Sequence, residues 1–67
     1  RPEILDRPDY ILRGYSAEDR IVYGTGAVVP VGQIAAEAAA RFDDPRVVYC
    51  HVRSARNNCF QVRIDRA

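Results

Sequence analysis

Residues 46–65, RVVYCHVRSARNNCFQVRID, decide how this chain folds, because the register of one hairpin fixes which side chains meet. The flanking runs RVVYCHVRS (46–54) and CFQVRID (59–65) are rich in β-branched and aromatic residues and alternate in polarity, the pattern of two strands. The residues between them set the pairing. A two-residue turn at Arg56-Asn57 pairs Ser54 with Cys59 and puts Val52 opposite Gln61. A three-residue loop, Arg56-Asn57-Asn58, pairs Ala55 with Cys59 instead, and Asn58 suits the left-handed conformation such loops need at their last position. In that second register Val48, Cys50, Val52 and Ser54 share an apolar face with Phe60, Val62 and Ile64. The opposite face collects Tyr49, His51, Arg53, Cys59, Gln61, Arg63 and Asp65. A slip of one residue exchanges these sets on one strand, so burial selects the register, and the three-residue loop is expected.

Upstream, RPEILDRP (1–8) reads as an extended lead-in with two prolines. YILRGYS (10–16) and DRIVYG (19–24) are two short β-prone runs, with Ser16 and Asp19 at turn positions, and predict a first hairpin. GTGAVVP (24–30) reads as a loop or irregular strand whose glycines supply backbone freedom. A helix is expected over 30–44, with Pro30 in its first turn and Pro45 beyond its end. Val31, Ile34, Ala35, Ala38 and Phe42 make its apolar stripe, and Glu37 and Arg41 stand in the favourable i to i+4 order. The fold class that follows is α+β: a hairpin, one α-helix and a second hairpin over 46–66, with the helix packed on one face of an antiparallel sheet.

A chain of 67 residues makes one small domain, residues 1–67, with a core that covers only about 60% of the unfolded surface. All ten basic residues are arginine, which holds its charge when partly buried and binds carboxylate or phosphate in a bidentate fork. Residues 1–45 carry five arginines against eight acids, or −3, whereas residues 46–67 carry five against one, or +4. The basic C-terminal hairpin therefore admits an anionic partner. The longest uncharged stretch, Ile21 to Ala36, is broken by glycines and a proline, so no membrane partner is expected. Two cysteines, Cys50 and Cys59, without metal-motif spacing, fit a reducing cytoplasmic setting with no disulfide framework, metal or cofactor.

The chemistry-bearing residues concentrate in HVRSARNNCF (51–60). His51 and Cys59 have the residue types of a base and a nucleophile, and neighbouring arginines would lower a thiol pKa. Four positions of strand separate them, however, or ~13 Å at about 3.3 Å per residue, too far for direct proton transfer. Tyr49, His51, Arg53, Gln61 and Arg63 are a more coherent group, being cross-strand and diagonal neighbours on one face. Their guanidinium, imidazole, amide and phenol donors suit a small anionic ligand. YGTGA (23–27) lacks the spacing of a phosphate-binding glycine loop. Tyr49 and Phe60, which could stack bases, fall on opposite faces in the expected register, which argues against nucleic acid.

RFDDPRVVYCHVRSARNNCFQVRIDRA (41–67) resembles the C-terminal end of the bacterial domain-of-unknown-function family 1203. Members of that family close in a DPRV strand, a central His, an aromatic after a Cys, and RIDRA or RVDRA. RPEILDRPDYILRGYSAEDRIVYGTG (1–26) is similar to the preceding segment of the same family. The resemblance spans the chain and corresponds to the C-terminal half of a member. It implies a fragment of a longer domain, in keeping with an initial Arg1, and a missing N-terminal half or a second copy as partner. No activity comes with the family. Three readings follow: a non-catalytic anion-binding domain using His51, Arg53 and Arg63; part of an enzyme to which His51 or Cys59 contributes; or a protein-interaction module with an open sheet edge.

Overall fold

The computed structural model describes residues 7–54 and 60–66. The chain runs β1 (Asp9–Tyr15), β2 (Ala27–Pro30), a single 3-10 turn (Val31–Gln33), α1 (Ile34–Arg41), β3 (Tyr49–Ser54) and β4 (Phe60–Asp65). The strands form one antiparallel sheet in the order β2-β1-β3-β4. This is the α+β architecture expected from the sequence.

Alternation along β1 explains its central place. Tyr10, Leu12 and Gly14 are buried, while Asp9, Ile11, Arg13 and Tyr15 are half-buried on the other side. On the first side lies the core: Tyr10, Leu12, Val22, Val29, Ile34, Ala38, Val47, Cys50 and Val52, with Phe42, Val62 and Ile64 packed against it. Gly14 is closely packed there, since a Cβ would stand 3.0 Å from a Val47 methyl. Cys50 is the small core residue anticipated, a fully buried free thiol whose pKa burial raises.

The first hairpin uses a different partner from the one expected. The run 19–24 forms only an isolated bridge, Tyr15 to Ile21, and β1 pairs instead with Ala27–Pro30. Ser16 and Asp19 do form the turn: the Asp19 N–H donates to the Ser16 carbonyl at 2.9 Å, with Asp19 at φ 62°. Beyond it Val22 dives into the core, its N–H donating to the Gly14 carbonyl at 2.9 Å. Gly24, at φ 86°, then reverses the chain. Buried Thr25 completes the corner, its hydroxyl donating to the Val22 carbonyl at 2.6 Å and accepting from the Gly14 N–H at 2.9 Å. A side chain thus takes the place of a strand against the end of β1, a local competition that alternation does not record.

The helix is shorter than 30–44. Its start is delayed by the 3-10 turn, and past Ala40 the Asp43 and Asp44 N–H groups reach back only three residues, to the carbonyls of Ala40 and Arg41. The stripe is narrower too: Ile34 and Ala38 are buried and Phe42 is half-buried, but Val31 and Ala35 are exposed. The Glu37–Arg41 pair forms at 3.0 Å, and the Arg41 Nε–H also donates to the Thr25 carbonyl at 2.6 Å, tying helix to corner.

In the C-terminal hairpin, both registers weighed from the sequence occur. Tyr49, Cys50, His51 and Val52 pair with Asp65, Ile64, Arg63 and Val62, as the three-residue loop requires. Between Val52 and Arg53 the register shifts, and Arg53 faces Phe60. Gln61 is the extra residue of a β-bulge, a device that re-aims the side chains beyond it. Phe60 consequently leaves the apolar set it was assigned to and joins His51 and Arg53, half-exposed. The loop and Cys59 lie outside the described residues, as does most of the lead-in.

Candidate functional site

The sheet face opposite α1 is organised around His51. Antiparallel pairing places Arg13, His51 and Arg63 in one row across β1, β3 and β4. Tyr15, Tyr49 and Asp65 form the row on one side of it, and Ile11, Arg53 and Phe60 the row on the other. His51 therefore has an arginine on each neighbouring strand and a third two residues along its own.

Aromatic rings hold this arrangement. Tyr15 and Tyr49, directly opposite, stack in parallel with centroids 5.1 Å apart. The His51 ring lies 4.6 Å from Tyr15 and 5.1 Å from Tyr49, and meets Phe60 edge to face at 4.8 Å. The Arg63 guanidinium carbon sits 3.9 Å above the Tyr49 ring, and its Nε–H donates to Asp65 Oδ1 at 2.7 Å. Arg53 lies over Phe60 at 5.9 Å. The Tyr49 hydroxyl donates to Asp19 Oδ1 at 2.9 Å, so the first turn closes one end of the face.

Electrostatics follow from this packing. Burial is the main reason that the His51 pKa is lowered, and the charges of Arg53 and Arg63 push it further down, with Asp19 opposing weakly. The imidazole is therefore neutral at physiological pH. Its Nδ1 is buried without a hydrogen-bond partner among the described residues. Tyr49 titrates above its ordinary range, because of burial first and its bond to Asp19 second. Asp65 raises the Arg63 pKa through their hydrogen bond, and the other N–H groups of that guanidinium are further donors.

Of the residues singled out from the sequence, Tyr49, His51, Arg53 and Arg63 come together on this face. Gln61 occupies the bulge, and its side chain and Cys59 lie outside the described residues. Cys50 is on the opposite face from His51. Three members were not anticipated: Arg13, Tyr15 and Phe60. Period-two alternation on β1 groups Arg13 with Tyr15, but only the long-range β1–β3 pairing sets them beside His51. Phe60 also removes the objection that two stacking rings fall on opposite faces, since it shares this one with Tyr49 through His51.

A concavity of about 410 Å³ lies elsewhere, where the first turn meets the segment before β3, lined by Ser16, Glu18, Ile21, Tyr23, Pro45 and Arg46 among others. Its cation is already engaged: Arg46 donates to Asp44 from Nε and Nη2, the latter at 2.7 Å. Among the described residues no three His, Cys, Asp or Glu side chains gather as metal ligands. Among them, too, no helix is long and apolar enough to cross a membrane.

A family model described as protein of unknown function (DUF1203) matches residues 1–66. The chain belongs to this family. No match is found among curated proteins or among solved structures. The DUF1203 description assigns no ligand or reaction, so the chemistry of the His51 face rests on its own side chains.

Proposed function

We propose that the open face of the sheet binds a small anion bearing a phosphate or carboxylate group, held by Arg53, Arg63 and Arg13 around His51. The observation that carries this reading is the Arg13–His51–Arg63 row with Arg53 beside it. Guanidinium groups offer forked N–H donors that match carboxylate and phosphate oxygens. Like charges on one face repel one another, and an anion among them relieves that repulsion. Neutral His51 adds a polar edge without a further positive charge.

The same geometry supplies a direct readout. Burial first, and then the charges of Arg53 and Arg63, hold the His51 pKa down, so an anion that offsets those charges raises it. By linkage, the anion binds more tightly as pH falls and His51 takes up its proton. The groups that face His51 are Arg13, Arg53, Arg63, Tyr15, Tyr49 and Phe60, with Asp19 and Asp65 nearby. The test is an NMR titration of the His51 ring in the full chain, with sulfate, which keeps its charge across this window, against chloride at equal ionic strength. The expected result is a low His51 pKa in chloride and a higher one in sulfate. Arg53→Ala should abolish the difference while leaving the core resonances of Leu12 and Val52 in place. Identical titration curves in the two salts would sink the proposal.

A further inference from the structure

The position of Phe60 is the feature that anion binding alone leaves unexplained. In an uninterrupted register its ring belongs with Val62 and Ile64 over the core, and burial favours that placement. The bulge at Gln61 turns it instead onto the arginine face, where 51% of the residue is exposed. There it pairs with Arg53 and touches the His51 ring. Exposed Val28 and half-buried Ile11 continue the same row across β2 and β1. One end of the site thus carries the half-exposed Phe60 ring, with apolar Ile11 and Val28 beyond Arg53 in the same row, and its middle is cationic.

A simple anion uses only the middle. From this juxtaposition we infer that the ligand is a nucleotide unit, its phosphate among the arginines around His51 and its base against Phe60. This rests on the anion-binding reading above and deepens it. Every nucleobase has a π face, and stacking on an aromatic side chain beside phosphate-binding arginines is how nucleotide units are held without reading base edges. Arg53, lying over the Phe60 ring, is placed to serve both ends, through its charge toward the phosphate and its plane toward the base. The surplus of positive charge over residues 46–67 has the sign this ligand needs.

Two sources share this chemistry, a free mononucleotide and single-stranded nucleic acid, and one set of titrations separates them. The full chain is titrated by NMR with inorganic phosphate, ribose 5-phosphate, adenosine monophosphate and an oligoadenylate of about ten nucleotides. The expected result is that adenosine monophosphate binds about tenfold more tightly than ribose 5-phosphate, with ring-current shifts at Phe60. Phe60→Leu, which keeps apolar bulk without a π face, should erase that advantage and leave ribose 5-phosphate binding unchanged. Phe60→Tyr should preserve it. An oligoadenylate that binds much more tightly than the mononucleotide identifies nucleic acid as the source, and equal affinities identify the free nucleotide.

Equal affinity for adenosine monophosphate and ribose 5-phosphate overturns the nucleotide inference but leaves the anion reading standing. Binding of none of the four probes overturns both. An advantage of adenosine monophosphate that survives in Phe60→Leu, with core resonances intact, also overturns the inference, since the base would then rest elsewhere.

Discussion

The two faces of this sheet are built from the same strands, one residue apart, yet they are held together by different forces. Leu12, Cys50 and Val52 are fully buried on the face under α1, where water exclusion and close packing decide position. One step along each strand, Arg13, His51 and Arg63 form a row set by strand pairing, in which His51 packs on the Tyr15 ring and Arg63 lies over Tyr49. The covered face is tightly packed at Gly14, where a Cβ would stand 3.0 Å from a Val47 methyl and force it to give. The open face keeps charges near rings and leaves Phe60 half in water. Stability is therefore concentrated on one side and the charged and aromatic side chains on the other, so substitutions on the two sides should have separable effects.

The sharpest test compares neighbours on β1. Leu12→Ala should cost about 2–5 kcal/mol, a large share of the ~5–15 kcal/mol typical of a folded domain, measured by urea unfolding. Ile11→Ala, which acts on the open face, should cost less than half as much. Equal losses would mean that the open face is a second core and would break the comparison.

Next in size is the corner that replaces the expected strand. Thr25→Val keeps the shape but removes the hydroxyl that accepts from the buried Gly14 N–H. A loss of about 1–3 kcal/mol is expected, the cost of an unsatisfied buried donor. A neutral result would show that Gly24 and Val22 hold the corner without it.

A smaller effect comes from His51 and is read as pH dependence. Its folded pKa lies below its unfolded value of about 6.5, so the unfolded chain takes up the proton first as pH falls. The His51 contribution is complete above about pH 6.5 and is lost as pH falls through that value toward the folded pKa. Urea midpoints should decline over this range in the wild type and flatten in His51→Phe. A midpoint that rises on acidification would reverse the assigned sign.

The smallest expected change lies on neither face. Hydrogen bonds from the Arg46 side chain and backbone lower the Asp44 pKa from 3.8 to about 2. The stabilisation is present above the ordinary carboxylate pKa and lost as pH falls toward about 2. Because the pair is solvent-exposed, Asp44→Asn should change stability little at neutral pH, and less still in high salt. A loss as large as that of Thr25→Val would show that this pair is not a surface interaction at all.

Legibility from the sequence varied with the range of the interaction. Alternation in 46–54 and 59–65 identified both strands of the second hairpin, and most of their register followed from burying Cys50, Val52, Val62 and Ile64 together. Helical spacing found α1 but overstated its length and breadth, since its ends are governed by three-residue backbone bonds and its width by what the sheet can cover. For the candidate site, Tyr49, His51, Arg53 and Arg63 could be grouped because they lie on one local hairpin. Arg13 and Tyr15 could not be added, because no local pattern states which residue of β3 a strand some forty positions upstream will face.

The sequence alone determined the α+β class, the strands of the second hairpin and the inward placement of Cys50, Val52, Val62 and Ile64, all consequences of hydrophobic periodicity within short segments. Tertiary structure decided three things. Ala27–Pro30 became the partner of β1 because Gly24 and the Thr25 hydroxyl turned the intervening run away. Arg13 and Tyr15 came to flank His51 because β1 lies between β2 and β3. Phe60 changed faces because a bulge at Gln61 joins two registers, each of which the sequence allowed by itself. In every case the deciding contact links residues whose sequence separation or local ambiguity hides the pairing from periodicity, and only the folded sheet resolves it.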